Sequence, residues 1–153
     1  MIPVPHPSAP SAASPVPAPA PVGDGTQATT TARGLLLFAH GARDPAWSAP
    51  FEAVAARCRA QPDAPAVALG FLEFMSPDLP GAGEQLAAAG CREVDIVPLF
   101  LGAGGHVRKD IPLLMARLAE QHPQVVWRLA PAIGQAEAVV AAMADVALQA
   151  GRR

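Results

Sequence analysis

The chain has 153 residues, enough for one domain, and a formal net charge of -2 at pH 7. That balance leaves no electrostatic footprint for nucleic acid, and the longest apolar runs are strand-sized, too short to span a membrane. Cys58 and Cys91 stand far apart without CxxC spacing. They read as small apolar residues in a reducing compartment, so a cytoplasmic protein is the default.

The first 33 residues hold eight of the 18 prolines and almost nothing to bury. They predict a disordered, partly extended tail, with no basic start or continuous apolar stretch of the signal-peptide kind. His6 belongs to this tail and is given no role. A single α/β domain is expected over residues 34–150.

Within it, four short apolar runs predict strands: "GLLLFA" (34–39), "AVALGFLE" (66–73), "VDIVPLF" (94–100) and "VVWRLA" (125–130). Their near-continuous hydrophobicity suits strands covered on both faces. A helix follows each. The first starts at Asp44-Pro45, an N-cap and a proline at the first helical position, with Trp47, Phe51, Val54, Ala55 and Cys58 on one face. The second lies within "SPDLPGAGEQLAAAG", where Ser76-Pro77 is a possible start and Pro80, Gly81 and Gly83 interrupt. The third is expected to open at Asp110, with Pro112 in its first turn and Ile111, Leu114, Met115 and Leu118 inward. The fourth runs from Gln135 to Gln149 with Val139, Val140, Met143 and Val146 as its apolar set. The order βαβαβαβα implies a three-layer αβα sandwich with a four-stranded, mainly parallel sheet.

Ligands of open α/β sheets bind outside the carboxyl ends of the strands. Strand 1 runs into His40, Arg43 and Asp44; strand 2 ends at Glu73; strand 3 leads to His106, Arg108, Lys109 and Asp110. Two of the chain's four histidines thus share one edge with a carboxylate. Neutral imidazoles suit a borderline divalent metal and also accept protons near neutral pH. The plainer readings stay open: a histidine after a strand also bonds loop carbonyls, and Glu73 could pair with Arg43 or Arg108. Gly102, Gly104 and Gly105 either permit positive φ or let a flat ligand approach the backbone. His122 is expected at the surface. There is no P-loop and no G-x-S-x-G.

"LLLFAHGARDPAW", "GFLEFMSPDLP" and "VPLFLGAGGHVRKDIP" closely resemble the CbiX/SirB family of class II chelatases, over nearly everything from Gly34 to Ala147. The resemblance implies a chelatase-like, flavodoxin-like half that inserts cobalt or iron into sirohydrochlorin, on the routes to cobalamin or sirohaem. By that resemblance His40 and His106 match the two metal-binding histidines, and Glu73 matches the acidic residue of the FLE motif. Ala42 stands where the family usually has serine. The metal is then a substrate, Co²⁺ or Fe²⁺, with no permanently bound cofactor. Short members look like half of the longer chelatases, which implies a homodimer.

Such chemistry needs a loosely held metal and a base for the pyrrole protons, for which a histidine is favoured over an ordinary glutamate. Arg43, Arg108 and Lys109 suit the carboxylates on the macrocycle rim. Gly102, Gly104 and Gly105 give the flat ring room. The competing readings are a non-catalytic divalent-metal carrier using the same histidines and a flavodoxin-like nucleotide module with His106 structural.

Overall fold

The computed structural model describes residues 32–152; the expected tail and His6 lie outside the described residues. Four parallel strands, β1 (Arg33–Ala39), β2 (Ala66–Phe71), β3 (Glu93–Pro98) and β4 (Val126–Leu129), form a sheet in the order β2-β1-β3-β4. Helix α1 (Ala49–Arg59) joins β1 to β2, α2 (Leu79–Ala88) joins β2 to β3, α3 (Gly105–Gln121) joins β3 to β4, and α4 (Glu137–Ala150) follows β4. The order reverses at β1, so the crevice beyond the carboxyl ends of β1 and β3 is a topological switch point.

The two faces of the sheet are packed differently. On one, Leu36, Phe38, Val94 and Ile96 meet Leu79, Ala82 and Leu86 of α2 and Val107 and Leu118 of α3 in one buried cluster. Close approach is needed here: a Cβ on Gly83 would collide with Leu118 and press on Trp127 at 3.2 Å. On the other face Leu37, Ala39, Leu69 and Phe71 pack against Ala55 of α1. Burial pushes the Cys91 thiol above its ordinary range, as expected of a packing residue.

Three expectations are corrected. First, α3 begins at Gly105 rather than Asp110. Gly104, extended at φ -69° and ψ 168°, is its N-cap, and Pro112 falls inside the helix. The Asp-x-Pro signature of a helix start lies a turn too late, and the proline leaves the Arg108 carbonyl without its usual donor. Second, Asp44 caps a 3-10 turn, Pro45–Ser48, which carries Trp47 and feeds α1. Third, α4 buries none of its residues, and its main packing within the chain is onto the 3-10 turn Ile133–Gln135. Without it, β3 alternates between half-buried and buried residues and β4 is largely exposed, rather than both being covered on two faces. Charges fill the open flank: Arg33 reaches Asp95 at 3.2 Å and Arg128 reaches Glu93 at 2.9 Å. No described helix is long and apolar enough to cross a membrane.

Candidate functional site

The first half of the site is the seam between β1 and β2. Their pairing brings Ala39 beside Phe71 and then continues past both strands. The Leu72 N–H donates to the Ala39 carbonyl at 2.8 Å and the Glu73 N–H to the His40 carbonyl at 3.0 Å. This sets His40 and Glu73 side by side, with β2 ending earlier than the apolar run implied. Gly41 holds the seam closed. Its φ is +85°, and a Cβ there would run into the Glu73 carbonyl oxygen. The His40 imidazole stacks on Phe100, with ring centroids 4.2 Å apart and planes at 33°. Phe100 is itself buried against Phe38, so the ring rests on the core.

The other half is the end of β3 and the start of α3. His106 is exposed in the first turn of α3, and no side chain caps that helix. Its first N–H groups are therefore open to an anionic ligand. Gly102, Gly104 and Gly105 do not take positive φ, and a Cβ on any of them would meet nothing within 4 Å. Neither backbone conformation nor internal packing requires glycine at these three positions. The space in front of them is clear.

His40, Glu73 and His106 line one open cavity of about 520 Å³ with Leu72, Gly104, Val107 and Asp110. His40 also borders a second, apolar slot of about 640 Å³, walled by Trp47, Phe51, Val54, Leu99, Ile133 and Val139, with Gly102 at its edge. Among the described residues, no three His, Cys, Asp or Glu side chains stand close enough together to hold a metal ion. Two neutral imidazoles on one cavity could hold a divalent metal and leave its other positions to a second ligand.

The remaining candidates scatter. Arg43 lies outside this cavity, its guanidinium 4.7 Å from the centre of the Phe74 ring. Phe74 is 58% exposed and held at φ +62°, an unfavourable conformation for an aromatic residue. Glu73 makes no ion pair with Arg43 or Arg108 among the described residues, whose salt bridges join Arg33 and Arg128 to Glu93 and Asp95. Gly105, Arg108 and Lys109 are exposed in the first turns of α3 but do not line the cavity. His122, half-buried, sits at the far end of α3 beside Trp127. Sequence reasoning missed Gly41, Phe74 and Phe100; Asp110, already placed at this edge but read as a helix start, lines the cavity wall. Gly41 alone carried a signal, as a glycine directly after a strand-end histidine.

The family model CbiX matches residues 34–150. A sirohydrochlorin cobaltochelatase from Methanothermobacter thermautotrophicus is 37% identical over 82 residues, 54% of this chain and 57% of that protein. One from Methanocaldococcus jannaschii is 31% identical over 88 residues, and the match covers 62% of it. The chain thus spans little more than half the length of these curated relatives. Among solved structures, a CbiX protein from Marinobacter aquaeolei VT8 superimposes with TM-score 0.68 at 32% identity, over 76% of this chain and 95% of that one. The sirohydrochlorin chelatase SirB from Bacillus subtilis subspecies spizizenii, in complex with cobalt, gives TM-score 0.65 at 30% identity, over 74% of this chain and 50% of that one. With the family model covering every described strand and helix from Gly34 to the end of α4, this chain belongs to the CbiX family.

Proposed function

We propose that the chain is a sirohydrochlorin chelatase, inserting Co²⁺ or Fe²⁺ into the tetrapyrrole with release of two protons. One observation carries the reading: His40, Glu73 and His106 line a single open cavity at the switch point together with Gly104, a glycine that nothing inside the fold requires. The names of the matched relatives supply the substrate class.

In this reading His40 and His106 hold the incoming metal by their imidazole nitrogens and leave its other positions for pyrrole nitrogens. His40, stacked on Phe100, is the fixed ligand; His106, exposed on the first turn of α3, approaches from the facing wall. As the metal enters, the pyrrole N–H protons pass to an acceptor on the cavity wall, and a positioned base contributes typically about 10²–10⁴-fold. Glu73 is in reach throughout, and either histidine becomes an acceptor once it has released the metal to the ring. Arg43, held by Phe74, and Arg108 and Lys109 on α3 bind the rim carboxylates, joined by the uncapped N–H groups of α3. The ring lies over Gly102, Gly104 and Gly105. A second copy of the chain supplies the opposite wall, in keeping with a match that spans 50% of SirB. The proline-rich residues 1–33 stand outside this domain, which covers residues 34–150, and the protein works in the cytoplasm.

The carrier reading asks for a tighter, closed ligand set than two open imidazoles give. The test is anaerobic absorbance spectroscopy of sirohydrochlorin with Co²⁺ or Fe²⁺, with and without protein. Protein-accelerated metallation is expected, the faster metal marking the pathway. Metal binding without tetrapyrrole binding or acceleration would put the carrier in its place.

A further inference from the structure

The loop between β3 and α3 is held at its root from the far side of the sheet edge. β3 ends at Pro98, and the Leu99 N–H still donates to the Phe38 carbonyl of β1 at 2.7 Å. The backbone then leaves the sheet, and its next partner comes from beyond β4. The Gly134 N–H donates to the Phe100 carbonyl at 2.9 Å. Gly134 lies in the 3-10 turn Ile133–Gln135, between β4 and α4.

This contact is also a close approach of two backbones. A Cβ on Gly134 would run into the Leu101 carbonyl oxygen and stand 2.6 Å from the Leu101 carbonyl carbon. These are main-chain atoms, so no change of rotamer clears them, and the turn or the loop has to move. Gly134 takes no positive φ, so space alone excludes a side chain there. The displaced residue would be the neighbour of Phe100, whose buried ring lies 4.2 Å from the His40 imidazole, centroid to centroid. His40, Phe100, Leu101 and Ile133 border one apolar slot, which puts the turn and the histidine on the same small piece of surface. Farther along the loop, Gly102, Gly104 and Gly105 meet nothing, so the loop is set in place at Phe100 and Leu101.

We propose that Gly134 is a positioning residue for the metal site: it fixes Phe100 and, through Phe100, the plane of the His40 imidazole. The inference rests on the reading that His40 holds the metal. It adds that a turn whose residues do not line the histidine cavity sets the orientation of one ligand. A ligand locked by packing loses less freedom when it binds.

Two measurements on the full chain test it: the imidazole C–H signals in proton–carbon correlation spectra, and a Co²⁺ titration followed by visible absorbance. His40→Ala identifies the His40 signals, which the face of Phe100 should shift upfield in the wild type. Gly134→Ala is expected to move them toward an unstacked imidazole and to raise the Co²⁺ dissociation constant by about 10–100-fold. The His122 signals, beside Trp127 at the far end of α3, should stay in place and report an intact core. Phe100→Leu should reproduce both changes, and the double variant should be no worse than the worse single. Gly83→Ala, at a glycine crowded by Leu118 and Trp127, should lower Tm and leave the His40 signals and the Co²⁺ affinity as they are. Unmoved His40 signals or unchanged Co²⁺ affinity in a folded Gly134→Ala would overturn the inference, as would additive effects in the double variant or the same changes in Gly83→Ala. A Gly134→Ala chain that does not fold would also overturn it, since the contact would then serve the whole domain. A wild type that binds no Co²⁺, with His40 signals still moved by Gly134→Ala, would overturn the metal reading and leave the placing of His40 by Gly134 standing.

Discussion

The two walls of the cavity are built in opposite ways. At the β1–β2 seam every feature is fixed from inside: backbone hydrogen bonds of 2.8 and 3.0 Å, a glycine with positive φ against a carbonyl, and a histidine resting on a buried phenylalanine. At the β3–α3 wall the backbone is glycine-rich yet unconstrained, the helix start is uncapped, and His106 is exposed. Glycine serves structure on one wall and clearance on the other. A fixed imidazole opposite an open wall is what the proposed transfer of a metal would use.

That contrast yields predictions of opposite kinds. Gly41→Ala should break both fold and site, since the positive φ alone costs about 1–3 kcal/mol before the collision with Glu73 is counted. A differential scan should show a fall in Tm of roughly 5–10 °C or more, with metallation lost alongside. Gly102→Val should do the reverse. Its Cβ meets nothing, so stability should stay within about 0.5 kcal/mol of wild type. Tetrapyrrole affinity, read by fluorescence quenching, should fall sharply. If Gly102→Val binds sirohydrochlorin as wild type does, the clearance argument fails.

The smallest effect is expected at Phe74. Its stack with Arg43 is worth about 0.5–1 kcal/mol at an exposed site. Phe74→Ala should therefore raise KM for the tetrapyrrole by about 2–5-fold and leave kcat unchanged. Phe74→Gly should have the same effect on KM without lowering Tm, because glycine accepts the backbone at φ +62°. An unchanged KM in both would show that Arg43 needs no support from the ring.

The parts of the molecule differed in how far the sequence disclosed them. Strands β1 and β2 read directly as apolar runs because both their faces are covered, and the alternation of elements implied the parallel sheet. His40, Glu73 and His106 were legible because topology brings strand ends to one edge whatever the details of the loops. The start of α3 was misread because Asp110 and Pro112 mimic a helix entrance one turn inside the helix. The covering expected of α4 failed for another reason: its apolar pattern says that it suits a buried setting, not what it packs against. The Arg43–Phe74 stack and the support of His40 by Phe100 were invisible, since both join residues that are distant in sequence or lie in an unusual backbone conformation.

The most direct test of the central claim is single-turnover metallation of sirohydrochlorin by His40→Ala and His106→Ala, each shown by its Tm to be folded. The account predicts that both lose the protein-dependent rate while still binding the tetrapyrrole. Metallation within a few-fold of wild type in either variant would contradict the pairing of these two histidines at the metal.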